Sequence, residues 1–304
     1  MSVVTPALAA PGARSARAWL ELTKPRIVSL VLFTGLPALL LAAQGFPGPR
    51  VFWGALAGIA LAAASAASFN HYFDRDLDGL MLRTRTRPLP AGVLPPSAAA
   101  GLGFVLAGLS WMVLLLTTNL LAAVLALANI FYYSVVYTVW LKRRTPQNIV
   151  IGGGAGASAP LIAWAAVSGR VDLPAILLFA IIFLWTPPHF WALSLYRRDD
   201  YLRAGLPMLP VTHGEPETRR QILLYSLVLV PVTLAVAPLA GLGPLYWVPA
   251  ALLGALFIAG AEHLRRSPDT AKAVRLFRYS ILYLFVLFLM MTVDVVVRTL
   301  AGGR

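Results

Sequence analysis

Cysteine is absent from the 304-residue chain, which excludes disulfides, thiolate metal sites, a cysteine nucleophile and thioether-linked cofactors. Charge is scarce too. Charged residues make up 12% of the chain against 59% hydrophobic, with a mean hydropathy of +0.77, and this balance excludes an ordinary soluble protein. Acid is the rarer sign, with 12 Asp and Glu against 25 Lys and Arg and a formal net charge of +13. Such an excess in a soluble chain would suggest nucleic acid. Here the basic residues fill short gaps between apolar runs, as cytoplasmic loops of membrane proteins do, so no nucleic-acid partner is expected. The opening residues are Ala-rich and basic without an apolar core ahead of a cleavage site, and no cleaved signal peptide is expected.

What is present is a series of apolar runs of bilayer length. About nine occur, near 27–44, 51–70, 97–117, 119–140, 148–168, 172–195, 221–240, 245–262 and 277–298. Turn chemistry separates them, as in Gln44 to Pro49 and Gly241 to Pro244. The expected fold is an all-α polytopic membrane protein forming a single domain over 1–304, with residues 1–24 as a flexible cytoplasmic segment. The longest internal loops, around 71–96 and 196–220, follow the second and sixth runs. Each carries aspartates near a helix end with arginines close by, which suggests two related four-helix halves plus a final helix. On one side of this arrangement the only basic residues are Arg50, Arg170, Arg298 and Arg304. The positive-inside rule therefore places the long loops and the N-terminus in the cytoplasm and the C-terminus outside. The short, weakly basic N-terminus favours a bacterial plasma membrane over an organellar one.

Most of the unusual chemistry lies between Asn70 and Pro90. Asn70, Asp74 and Asp78 are four apart, so one helical face carries all three, while Asp76 points elsewhere. Arg83, Arg85 and Arg87 follow. Aligned carboxylates beside guanidinium groups suit a magnesium ion shared with a phosphorylated substrate; the alternative is a solvated helix end. A second acidic loop supplies Asp199 and Asp200 among Arg197, Arg198 and Arg203, either as a surface charge cluster or as the facing half of the same site. Lys142-Arg143-Arg144 precede Gln147 and Asn148 at the lip of a glycine-rich helix, Ile151 to Ala157, where helix packing is the expected role of the glycines. Of the histidines, His213 and His263 fall in polar loops and His71 abuts the aspartates. His189 lies inside an apolar run beside Pro187 and Pro188, where an imidazole needs either a packing partner or a buried ligand.

The motif N-x-x-x-D-x-D-x-D-G-x-M-x-R-T-x-x-R-P-L, from Asn70 to Leu89, resembles the intramembrane aromatic prenyltransferases of the UbiA superfamily. The segments Leu22–Ile27 (LTKPRI), Leu141–Ile149 (LKRRTPQNI), Pro187–Leu193 (PPHFWAL) and Asp199–Pro210 (DDYLRAGLPMLP) are similar to those of its haem-prenylating branch. The resemblance implies nine helices around a central cavity, farnesyl diphosphate bound through Mg²⁺, and protoheme IX as acceptor. It implies metal at Asp74, Asp78, Asp199 and Asp200, with Asn70 orienting or ligating. Arg83, Arg87, Lys142 and Arg203 would hold diphosphate and His189 would touch haem, with haem A synthase or oxidase-assembly proteins as candidate partners. In one departure, the frame of a second D-x-x-x-D reads Tyr196-x-x-x-Asp200. The rival readings are a prenyltransferase for a quinone precursor or other aromatic ring, and a haem or small-molecule transporter.

Overall fold

The computed structural model describes residues 11–266 and 269–302, and among them every regular element is helical. Among the described residues, nine helices are long and apolar enough to cross a membrane. They are α2 (Pro25–Ala43), α3 (Pro49–Leu80), α4 (Pro96–Thr117), α5 (Leu120–Phe131) with its π-helical continuation Tyr132–Leu141, α6 (Asn148–Ala157) joined to α7 (Ala159–Ser168), α8 (Leu173–Tyr196), α11 (Gly214–Leu239), α12 (Pro244–Arg266) and α13 (Thr270–Ala301). The shorter α1 (Pro11–Leu22), α9 (Arg198–Arg203) and α10 (Leu209–Thr212) lie between or before them. Local sequence explains the boundaries. Pro25, Pro49 and Pro96 occupy the first helical turn, where a missing N–H costs nothing, and the Asn119 and Asp269 side chains accept from Ala122 N and Ala271 N.

The expected spans agree with these helices except at a few ends. The most consequential difference is in α3, which stays helical ten residues past the expected stop at 70 and so carries the whole acidic stretch to Leu80. The halves also correspond. Both α3 and α8 are followed by a long connection, residues 81–95 and 197–213, and then pack on the next spanning helix, α4 and α11.

The N-terminal expectation changes. Its first ten residues lie outside the described ones, but 11–22 form α1, whose Ala18 and Leu22 are buried against Leu89, Leu94 and Ala99. Apolar residues four apart make one helix face, and the 88–99 segment covers it.

In a membrane, helices associate through close packing and internal hydrogen bonds rather than hydrophobicity, and α3 and α4 show both. The Ser110 hydroxyl donates to Gly58 O at 2.8 Å and the Ser65 hydroxyl to Gly103 O at 2.7 Å. A Cβ at Gly58 would stand 2.4 Å from Leu114 Cγ, whereas one at Gly101 meets nothing within 4 Å. Gly58→Ala is therefore expected to cost about 1–3 kcal/mol of stability by overpacking, and Gly101→Ala nothing, as read from thermal unfolding in detergent.

Candidate active site

At the end of α3 the polar side chains form two neighbouring groups, one around Asp74 and one around Asp78. Asn70 donates through Nδ2 to Asp74 Oδ2 at 2.6 Å and to Thr138 Oγ1 at 3.3 Å, and it accepts at Oδ1 from Lys24 Nζ at 2.5 Å. Lys142 Nζ reaches the same Asp74 Oδ2 at 2.5 Å. One turn on, Arg87 Nη1 lies 2.9 and 2.8 Å from the two oxygens of Asp78, and the Thr84 hydroxyl donates to Asp78 O at 2.9 Å. Asp74 and Asp78 are each 1% exposed. A carboxylate so far from water needs a cation or several donors, and the lysines and the arginine supply them.

Three local devices put those cations in place. Lys24, between α1 and α2, has φ 49° and ψ 61°, a left-handed conformation that costs an L-residue about 1–2 kcal/mol. That break turns the chain so that Lys24 meets Asn70. The second device is the π-helical run Tyr132–Leu141, marked by Thr138 Oγ1 donating to Tyr133 O and Lys142 N to Tyr137 O, each five residues back. Its wider turn sets Thr138 and Lys142 against α3. The third is Gly152, where a Cβ would lie 2.1 Å from Tyr137 Cδ2, so only glycine leaves room for that ring. Gly153 and Gly154 similarly face Thr186 and Tyr132 closely, which bears out the packing role expected of the glycine run.

Gly156 differs, because it opens onto a cavity. The cavity runs from Lys24 between α2, α3, α5 and α6–α7, and its α3 wall is Ile59 followed by Ala62, Ala63, Ala66 and Ala67. Asn129 and Tyr133 are the polar residues of its lining apart from Lys24. A charged cluster thus stands at the mouth of a smooth apolar space.

The remaining sequence expectations are placed as follows. Asp76 does face away, in a two-pronged pair with Arg143 at 2.9 and 2.8 Å, with side chains 62% and 40% exposed. The second loop meets the first through apolar contact, since Tyr201, Leu206 and Met208 cluster with Leu77, Met81 and Ile149. Burial pushes the Tyr201 hydroxyl up, opposed by Arg83 and Lys142 nearby. The four-aspartate metal set is not assembled. No three His, Asp or Glu side chains come together among the described residues. Asp199 is exposed on α9, and Asp200 is engaged by Arg203 and, at 3.9 Å, by Arg197, because a helix of six residues aims neighbouring acids in different directions. At Asp74 the fit to a hard cation is better. Its Oδ1 is buried with no hydrogen-bond partner, and a carboxylate oxygen is the donor a hard cation takes.

His189 has a partner. Its Nδ1 lies 2.6 Å from Ser280 Oγ, whose own proton goes to Phe277 O at 2.7 Å, so Nδ1 carries the hydrogen and Nε2 keeps its lone pair. The ring stacks between Trp185 and Phe277 at 4.3 and 4.7 Å. Sequence reasoning missed Lys24, Thr138 and the alanine wall. The LTKPRI segment contained the signal, a lysine directly before a helix-starting proline.

Comparison with known proteins follows this geometry. The family model described as the UbiA prenyltransferase family matches residues 31–290. A protoheme IX farnesyltransferase of Symbiobacterium thermophilum is 49% identical over 281 residues, covering 92% of this chain and 94% of that one. A solved digeranylgeranylglyceryl phosphate synthase superposes with TM-score 0.79 at 19% identity, over 93% of this chain and 99% of that chain. A UbiA homologue from Archaeoglobus fulgidus bound to DMAPP and Mg²⁺ does so with TM-score 0.60 at 18% identity, over 90% and 99%.

Lys24 yields a pH prediction. Burial, with the Arg87 and Lys142 cations beside it, pushes its ammonium down to about 7. An anion at the cavity mouth raises that value again, so Lys24's help to anion binding is complete below pH 7 and fades as pH climbs through the raised value. Pyrophosphate affinity of the wild type, divided by that of Lys24→Arg, should therefore fall between pH 7 and 9 in calorimetry. A flat ratio would count against this role for Lys24.

Proposed function

The chain belongs to the UbiA prenyltransferase family, and from that premise we propose that it transfers a farnesyl group from farnesyl diphosphate to a vinyl group of protoheme IX. Water addition then gives haem O and diphosphate. The observation that carries the reading is the charged cluster at the mouth of the alanine-walled cavity, a head-and-tail arrangement suited to a diphosphate on a long apolar chain. The relatives' name supplies the acceptor.

Roles follow from contacts. Asp74 and Asp78 are assigned to Mg²⁺, with Asn70 orienting Asp74 through its 2.6 Å hydrogen bond. A divalent cation held there would neutralise charge on the departing diphosphate. Lys24, Lys142 and Arg87 offer fixed positive charge to the same oxygens, and Arg83 and Arg203 provide more from the two loops. As the bond to oxygen breaks, the allylic carbon gains cationic character. The apolar cavity keeps water from that carbon until the porphyrin vinyl group attacks. His189, its Nδ1 hydrogen held by Ser280, presents Nε2 as the proposed haem contact. Asp200 is assigned to the loop wall, holding Arg203 towards diphosphate rather than coordinating symmetrically with Asp74.

The protein is an integral membrane transferase. Its charge distribution supports placing the N-terminus and the site on the cytoplasmic side of that membrane.

Incubation with haem, farnesyl diphosphate and Mg²⁺ should yield a more apolar haem, its mass raised by one farnesyl group and one hydroxyl group. Conversion of a quinone precursor with haem untouched would overturn the acceptor. Asp74→Ala should lower turnover by about 10²–10³-fold, and Asp76→Ala by no more than roughly twofold, since the latter loses only an exposed pair. Gly156→Leu projects into the cavity without meeting a neighbour within 4 Å at Cβ. It should cut kcat/KM for farnesyl diphosphate by about 10–200-fold and favour shorter prenyl donors, with thermal stability unchanged.

A further inference from the structure

Alternation of the spanning helices brings the α12–α13 junction to the end of the bundle that carries Asp74. On the outer face there, the two helices leave a groove apart from the catalytic cluster. Its floor is Gly260, Leu276 and Tyr279, and its rim is His263, Lys272 and Arg275. Helical spacing accounts for this division: Lys272, Leu276 and Tyr279 follow at four and seven residues along one face of α13, while Gly260 and His263 are three apart on α12. Gly260 keeps the floor open, because a Cβ there would already stand 3.3 Å from Leu276 Cδ1. The Tyr279 hydroxyl donates to Leu253 O at 2.7 Å, so its polar end is used within the protein and its ring lies against the groove.

Among the described residues the charges on the rim lack counterparts. Glu262 is taken by Arg265 at 2.6 Å and Arg266 at 2.5 Å, and the Asp269 carboxylate caps α13 through Ala271 N at 3.0 Å. Lys272 and Arg275 form no ion pair among the described residues. Two cations at a helix end, above an apolar trough parallel to the spanning helices, match one kind of molecule in shape and charge.

We propose that this groove binds an anionic glycerophospholipid, with its phosphate on Lys272 and Arg275 and an acyl chain along Gly260, Leu276 and Tyr279. The site adjoins the side of α13 that faces His189. Phe277 and Ser280, on the same turns as Leu276 and Tyr279, are the residues that stack on and hydrogen-bond to His189. A filled groove steadies that stretch of α13, although the lipid site does not depend on the prenyl-transfer reading.

The test is native mass spectrometry of the full chain released from vesicles of mixed phosphatidylglycerol and phosphatidylcholine. Wild type should retain phosphatidylglycerol in preference to phosphatidylcholine. Lys272→Gln with Arg275→Gln should weaken that retention roughly 30-fold, the loss expected for two cations beside an anionic surface. Arg265→Gln with Arg266→Gln, which removes the same charge next door, should leave it intact. Gly260→Leu, which fills the floor and keeps the rim, should also release the lipid. Equal retention of phosphatidylcholine, persistence in the Lys272/Arg275 variant, loss in the Arg265/Arg266 variant, persistence in the Gly260 variant, or displacement by millimolar inorganic phosphate would each overturn the proposal.

Discussion

A carboxylate at Asp74, 1% exposed and shared between Lys142 and Asn70, is the constraint around which the rest of the site is built. An ionised acid in that setting is tolerable only with cations held at fixed positions, since neither water nor salt reaches it to screen the charge. The strain at Lys24, the π-helical run and the glycine notch for Tyr137 all serve that requirement. Each is unfavourable locally and becomes understandable once the position of an ammonium group is taken as the thing being specified.

The same cluster closes the head of an apolar space. Because α3 presents alanines for two turns before Asn70, the helix that carries the acids also supplies the smooth wall beneath them. Charge and cavity are thereby fixed relative to one another by a single rigid element, which is how a diphosphate and its hydrocarbon tail can be held in register. The long connections after α3 and α8 meet over this end through Leu77, Met81 and Tyr201, an apolar clasp rather than a shared metal.

Much of this was legible in the chain. Apolar runs of bilayer length located the nine spans found among the described residues, because nothing else tolerates such composition, and the four-residue spacing of Asn70, Asp74 and Asp78 indicated one face. Arg87 could be picked out because basic residues beside acids are few in so apolar a sequence, and Lys142 through the resemblance of its LKRRTPQNI segment. Lys24 could not, since its role depends on a left-handed backbone that no side-chain pattern encodes. Thr138 depended on a π register where a 3.6-residue period would be assumed. Asp199 and Asp200 invited pairing with the first motif, but adjacent residues on a short helix diverge, and nearby arginines engage Asp200. His189 shows a different limit: periodicity marked it as costly, yet its partner Ser280 lies 91 residues away.

The account turns on Asp74 and Lys142 acting as one unit at the cavity mouth. A double-mutant cycle with Asp74→Asn and Lys142→Met, read as the affinity for farnesyl diphosphate, measures that directly. The account predicts strong non-additivity, a coupling of about 1–3 kcal/mol, because each substitution strands the other's charge. Additive losses within about 0.5 kcal/mol would contradict it.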